Sequence, residues 1–388
     1  MNHACRPGAM SRQKVRSRDI GAPADLCRPD PGQWPAWSGH HAAPLPQGAR
    51  MTGGPARIPR VNARPTQTDV AREAGVSRAL VSMALTGTGR VAPQTRNRIR
   101  AAASRLGYAR NLSAANLATS TSPVIGVILP YLRNPFFEDL VAVIGRNAEA
   151  AGLLPLLATA SNEVDRERLT MRRFRELQVR GVITVSPAVP REELQDYGES
   201  LPLVVVGESG LGGLVDTVRL DEDAAATRLI GHLAGRGWSY IGYLYDDVFQ
   251  RDRGLAGRRQ ALITAARRAG VELTVHRVEG GVADVVGRLC EDVRDRRTAI
   301  IGHNDLLATE IASAVRSHGL MVGTDVGVAG YDDTSLARRS QADLTSVGQS
   351  IAEQGEAAVG WIASRALDQE QPARHIATPP LLSVRSST

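Results

Sequence analysis

A chain of 388 residues that is 43% hydrophobic can bury a sizeable core in two or three domains, but with 4% aromatics that core must be aliphatic. The net charge of +7 is uneven: residues 64–118 carry nine arginines against Asp69 and Glu73, while residues 119–388 carry 29 arginines against 35 carboxylates. A basic front on an acidic body points to a polyanionic partner for the front alone. The absence of an eighteen-residue apolar run, of an h-region behind the basic N-terminus and of paired cysteines (Cys5, Cys27 and Cys290 have no C-x-x-C or zinc spacing) argues against a membrane span, a secretory signal, a disulfide framework and a structural metal, and leads us to expect a cytoplasmic protein without cofactor.

Residues 1–63 are dominated by Pro, Gly, Arg and Ala and hold no apolar period, which reads as a disordered extension or as sequence ahead of a true start at Met51. From residue 66 the pattern changes. Thr66 with Asp69 three positions on is a capping-box start for a helix through TDVAREA that ends at Gly75. Ser77 caps a second short helix, RALVSMAL, ending near Gly87, and a third runs from Pro93 to about Leu106 and stops at Gly107. Val70, Ala74, Val76, Val81, Leu85, Ile99 and Leu106 form an apolar set for a three-helix core. A helix, a turn at Gly75 and a second helix make a helix-turn-helix unit, and the small Ala71 and Ala74 allow close helix approach.

From 123 onward short apolar runs (VIGVIL, LLPLLA, GVITV, PLVVVG, YIGYLY, TAIIGH, VGVAGYD) alternate with amphipathic helices, which predicts an α/β architecture of doubly wound sheets, long enough for two lobes. Ligands of such sheets bind beyond the carboxyl ends of the strands, so the loops after each run are where a site is sought.

The order and spacing of TDVAREAGVSRALVSMAL, RVAPQTRNRIRAAASRLGY, NLSAANLA, IGVILPYLRNPFFEDL, GHNDLLATEIASAVRSHGL, DVGVAGYDDTSLA, LTSVGQS and VRSST resemble the LacI/GalR (lactose-repressor) family over residues 66–388. The resemblance implies a helix-turn-helix headpiece with a hinge helix (64–118) on a two-lobed periplasmic-binding-protein-like domain (123–388). Its first lobe would take about 123–222 plus 348–375, and its second about 223–345 plus the C-terminus. It implies a repressor whose affinity for double-stranded DNA is set by a small-molecule effector, a sugar or sugar derivative, bound between the lobes. Base contacts fall on Arg78, Ala79 and Met83. Arg78 suits a bidentate guanine contact, with a phosphate contact as its alternative. Met83 stands where the family often has arginine and offers only apolar contact. Ser77, Ser82 and Arg96, with Arg98, would face the phosphates, and Thr66 is expected among the DNA-binding residues. In the hinge segment SAANLA, Leu117 would wedge into the minor groove, flanked by Asn111 and Ala114, and Arg110 stands where proline is common.

For the effector the resemblance implies Asn134, Phe136 and Phe137 after the first strand, Glu208, Asn304, Asp332 and Gln349. For Phe136 a packing role is an equal alternative, and Asp305 is expected to do no more than cap the next helix. The family's cleft arginine is replaced by Gly254, with Arg253 beside it and Arg251 near, so Arg253 is the expected substitute. Arg180 replaces a common aspartate with no role that the sequence suggests. The C-terminus shows no leucine heptads, so a homodimer on a pseudo-palindromic operator is expected rather than a zippered tetramer. A transporter's solute-binding protein fits the body but not the arginine-rich headpiece. An enzyme is opposed by the lack of G-x-S-x-G, P-loop or metal-ligand patterns.

Overall fold

The structure is a computed structural model that describes residues 65–87, 89–109, 122–208, 211, 213, 215–246, 253–291, 296–365 and 371–388. The first described segment is three short helices, α1 (Gln67–Ala74), α2 (Arg78–Thr86) and α3 (Pro93–Arg105). Each end has a local cause. Thr66 Oγ1 accepts from the Asp69 amide while the Asp69 carboxylate accepts from the Thr66 amide, the reciprocal box the spacing predicts. Gly75 ends α1 at φ +62°, a left-handed conformation that costs an L side chain. Ser77 Oγ caps α2 through the Leu80 amide. Val70, Ala74, Val81 and Ile99 are buried with Ala71, Ala84, Val91, Ala102 and Ala103, and Val76, Leu85 and Leu106 pack against them, half-buried.

The remainder is two six-stranded sheets with helices on both faces. The first sheet runs in the order β11-β5-β4-β3-β1-β2, built from β1 (Val124–Leu129), β2 (Leu154–Thr159), β3 (Val182–Val185), β4 (Leu203–Val206), β5 (Asp216–Leu220) and β11 (His375–Thr378). All its pairings are parallel. The second runs β12-β10-β9-β8-β6-β7, from β6 (Tyr240–Asp246), β7 (Glu272–Val278), β8 (Thr298–Gly302), β9 (Val326–Asp332), β10 (Thr345–Gly348) and β12 (Leu381–Ser383). Only its β10–β12 pairing is antiparallel. The central strands are buried along their whole length, as parallel strands covered on both faces must be.

Helices α4 (Pro135–Ala150), α5 (Val164–Glu176) and α6 (Arg191–Ser200) connect strands of the first sheet. Helices α7 (Glu222–Gly235), α8 (Arg253–Ala269), α9 (Val282–Cys290) and α10 (Asp305–Ser317) serve the second, and α11 (Ile351–Arg365) returns to pack on α4. Asp216 fixes that return. Its carboxylate accepts from Arg365 at 2.6 and 2.8 Å and from Arg374 at 2.8 Å, tying α11 and the approach to β11 to the start of β5. Burial pushes the Asp216 carboxyl up, but the two arginines outweigh it and hold it below the usual carboxylate range.

The chain passes between the sheets three times, after β5, after β10 and between β11 and β12. Gln354 of α11 stitches these crossings together. Its Nε2 donates to the Gln349 carbonyl and to Thr378 Oγ1, and Thr378 Oγ1 donates to the Arg219 carbonyl. Arg180 serves the fold: its Nε donates to the Ser122 carbonyl at 2.8 Å, pinning the chain just before β1.

Candidate functional site

The loops at the carboxyl ends of β1, β3, β4 and β5 face those of β9 and β10 across a cavity of about 220 Å³. The facing ends enclose a polar pocket with an apolar wall, as doubly wound sheets generally provide.

On the side of the first sheet, Asn134 caps α4 by accepting from the Phe136 amide, which leaves its Nδ2 to donate across the cleft to Asp332 Oδ2 at 2.7 Å. Phe136 and Phe137 meet edge to face at 5.3 Å. Both are buried in the lobe core and both line the cavity, so packing and presentation to the pocket are not alternatives. Glu208 is buried and paired with the half-exposed Arg191 at 3.2 Å.

On the opposite side, Asp332 ends β9 at φ +96° and is followed by Asp333 at φ +47°. Two successive non-glycine residues in this region are strained by about 1–3 kcal/mol each, a cost that is held only where surrounding contacts fix it. Such contacts are present: Asp332 also accepts from Gln349 Nε2 at 2.5 Å, and the Asp333 amide donates to Ser346 Oγ. Burial raises the Asp332 carboxyl above the ordinary range against the pull of Arg258, Asn134 and Gln349.

Asn304 and Asp305 divide their roles differently from the sequence expectation. Asn304 is the cap of α10, accepting from the Leu307 amide at 2.9 Å, and its Nδ2 makes no hydrogen bond to the described residues. Asp305 points inward, where it accepts from Thr334 and from Ser346 Oγ. Burial and the nearby Asp332 push its carboxyl up to about 7. The turn needs Gly302, because a Cβ there would stand 2.6 Å from the Ala308 amide nitrogen.

Arg258 is the residue that sequence reasoning misses. Gly254 does line the cavity, and the side chains of Arg251 and Arg253 lie outside the described residues. Four positions after Gly254, one helical turn along the same face of α8, the Arg258 guanidinium fills the space. It bonds Glu222 at 3.1 and 3.2 Å, donates to the His303 carbonyl at 2.8 Å and lies 4.1 Å over the Tyr331 ring. Burial opposes its charge, but Glu222 and Asp332 keep it protonated. Burial likewise raises Glu222 and, with Arg258, drives His303 far below its usual value, so that the ring is neutral. The i, i+4 spacing from Gly254 was the available signal for Arg258; Glu222 and His303 had none beyond their places after strands.

In the three-helix segment Arg78 and Ala79 are exposed at the start of α2. Ser82 and Met83 are half-buried, and Met83 packs its sulfur toward Gly89. Arg96 is half-buried with Nε lacking any hydrogen-bond partner among the described residues. Asn111, Ala114, Leu117 and Arg110 lie outside the described residues. Among those residues no His/Cys/Asp/Glu cluster fit for a metal occurs, and no helix is long and apolar enough to cross a membrane.

Residues 66–111 match the model of bacterial regulatory proteins, lacI family, and residues 230–388 match that of a periplasmic binding protein-like domain. The chain is 30% identical over 294 residues to the HTH-type transcriptional regulator GalS of Salmonella typhimurium, covering 74% of this chain and 86% of that one. It is 30% identical over 339 residues to the HTH-type transcriptional regulator reg1 of Streptomyces lividans, covering 82% and 95%. The structure of the lac repressor dimer bound to operator and the anti-inducer ONPF superposes with a TM-score of 0.72 at 21% identity, covering 84% of this chain and 99% of that one. With a helix-turn-helix headpiece followed by a binding-protein-like pair of lobes, the chain belongs to the lacI family of bacterial regulatory proteins and is a DNA-binding transcription regulator.

Proposed function

We propose that this regulator is a cytoplasmic homodimeric repressor whose hold on a pseudo-palindromic operator is set by a carbohydrate bound between its lobes. The observation that carries the reading is the Asn134–Asp332 bond with its Gln349 support: one carboxylate joins groups from both sheets at the cavity. A hydroxylated ligand competes for those same hydrogen bonds. Asp332 accepts hydroxyl donors, Asn134 and Gln349 can each serve a ring oxygen or hydroxyl, and Phe136 offers an apolar face. Glu208 and Asn304 complete the wall. Arg258 takes the part expected of Arg253 and presents its remaining N–H groups to the ligand.

Such a ligand binds the closed and open cleft with different affinity, and only that difference shifts the operator-bound population. The change passes from the body (123–388) through the hinge segment that carries Asn111, Ala114 and Leu117 to the headpiece (64–118). On DNA, Arg78, Ala79 and Met83 meet base edges, while Thr66, Ser77, Ser82 and Arg96 meet phosphates.

The test is fluorescence anisotropy of the full chain on its own upstream DNA at two salt concentrations, with and without a panel of sugars, nucleosides and amino acids. The expected result is sequence-selective binding that weakens with salt and responds to one sugar class. Binding without sequence preference overturns the operator reading, and a response to nucleosides or amino acids alone overturns the carbohydrate reading.

A further inference from the structure

The body as a whole is acidic, with 29 arginines against 35 carboxylates over residues 119–388, yet α5 ends in the opposite sign. The stretch RRFRELQVR, residues 172–180, holds four arginines against Glu176. Met171 and Phe174 turn inward and are buried, so Arg172, Arg173 and Arg175 fan over the outer face, all three exposed. The first turns of the same helix are neutralised: Arg166 pairs with Glu163, and Arg168 with Asp165 and Glu193. The last turns are not, and none of these three arginine side chains makes an ion pair or hydrogen bond among the described residues. Arg173 and Arg175 suit the negative end of the helix dipole, but Arg172 stands before the last turn, and a helix end does not require three unpaired guanidinium groups. The neighbouring helix ends carry no such excess, α4 closing with Arg146 and Glu149 and α6 with Asp196 and Glu199.

The fold sets this strip at one particular end of the body. The Phe174 ring packs on Gly126 of β1 and leaves no space there for a Cβ. The Arg180 amide donates to the Val124 carbonyl at 2.7 Å and its Nε to the Ser122 carbonyl at 2.8 Å, so the segment that follows α5 is bound to the first residues of the body. That is where the chain arrives from the headpiece: Ala109 and Ser122 are thirteen positions apart, a span of at most about 45 Å when fully extended. The carboxyl ends of the strands face the cleft in both lobes, so this amino end of the first sheet points away from the cleft, on the side to which the headpiece is tied. We propose that α5 gives the body its own contact with DNA, in which Arg172, Arg173 and Arg175 meet backbone phosphates of the duplex that the headpiece holds. Guanidinium groups that have no carboxylate partner among the described residues retain their N–H donors for phosphate oxygens, and such contacts add affinity without reading sequence. The inference rests on the assignment as a DNA-binding regulator and is independent of what the cleft binds.

The experiment is fluorescence anisotropy of the full chain on its own upstream DNA over a salt series from about 50 to 200 mM, comparing the triple variant Arg172→Gln, Arg173→Gln, Arg175→Gln with the unmodified chain. Each phosphate neutralised adds about 0.9 to the slope of log affinity against log salt, so the triple variant should lower that slope by about 2.7. Over this salt range the unmodified chain should then lose roughly 40-fold more affinity than the variant. Preference for the operator over a scrambled duplex should be unchanged, and Arg172→Lys, Arg173→Lys, Arg175→Lys should keep the slope of the unmodified chain. Each single glutamine variant should lower the slope by about 0.9, so a folding defect in the triple does not remove the test. Arg236→Gln, Arg267→Gln, Arg268→Gln removes the same charge from exposed ends of α7 and α8, at the amino end of the second sheet and far from Ser122, and should leave the slope unchanged. The inference falls if the slope of the α5 variants matches that of the unmodified chain, if the control triple lowers it equally, or if sedimentation shows that the α5 triple changes the number of copies in the assembly, which would make the strip a contact between copies. An unmodified chain that binds no DNA overturns this inference together with the operator reading; salt-dependent binding that the α5 variants leave unaltered overturns this one alone.

Discussion

Asn134 and Asp332, 198 positions apart in the chain, are joined by a 2.7 Å hydrogen bond that links the loop after β1 of one sheet to the end of β9 of the other. The same carboxylate is braced by Gln349 from the crossing after β10. One carboxylate thus bonds both to the facing lobe and to the crossing after β10.

Removing the donor should therefore loosen the cleft. Asn134→Ala also takes away the cap of α4, so Asn134→Ser, whose hydroxyl keeps the cap but does not span to Asp332, is the cleaner variant. It leaves a buried carboxylate one bond short, at a cost of about 1–3 kcal/mol. Urea unfolding measures the cost, and small-angle scattering without ligand should show a larger radius of gyration. An unchanged radius with unchanged stability would show that the bond holds nothing closed.

The Arg258–Glu222 pair is a second point of leverage. Arg258→Met leaves Glu222 uncompensated in a largely buried site and should cost about 3 kcal/mol, the lower end of the roughly 3–5 kcal/mol for breaking such pairs. Arg258→Met with Glu222→Leu should recover most of that loss, since the net worth of a buried pair over apolar residues is small. Chemical denaturation of the two single variants and the double supplies the cycle, and a double variant as unstable as the sum of the singles contradicts the assignment.

Asp305 gives stability a pH dependence with a definite sign. Its folded-state value of about 7 stands above that of the unfolded chain, so the folded state holds the proton more tightly. The stabilisation this gives is fully present at acid pH, below the unfolded value near 4, and is lost as pH rises toward 7. Asp305→Asn keeps an acceptor for Thr334 and removes the titration, so the gap in urea midpoint between variant and wild type should widen in the variant's favour from pH 5 to pH 8. A constant gap would show that Asp305 does not titrate in this window.

On DNA the headpiece arginines should separate by role. Arg78→Ala should relax discrimination at one base position of each half-site by about 1–3 kcal/mol. Arg96→Ala should weaken all sequences alike and lower the salt slope by about 1. Anisotropy on a set of single-base operator variants distinguishes the two; equal losses on every sequence for both variants would make Arg78 a phosphate contact.

How far the sequence can be read varies with the range of the interactions. The Thr66–Asp69 box, the turn at Gly75 and the Ser77 cap are made within four residues, so their chemistry is written in adjacent letters. The α/β alternation is equally legible, because strands buried on both faces must be continuously apolar. The pocket is less so. Asn304 and Asp305 are neighbours with similar side chains, and only the packing of α10 against β9 sends the first to its own helix and the second to Thr334 and Ser346. Nearness along the chain favours Arg253 as the partner of Gly254, whereas position on the helix, where four residues make about one turn, favours Arg258.

The sequence by itself determined the headpiece, the order of strands and helices, and which strand ends carry Asn134, Asp332 and Gln349, because these follow from local capping and from patterns of burial with short periods. Only the tertiary structure decided that the Arg258 guanidinium lines the cavity beside Gly254 and that Gln354 stitches the three crossings. Each of these depends on groups tens to hundreds of residues apart being brought within bonding or packing distance, and no local pattern encodes that distance.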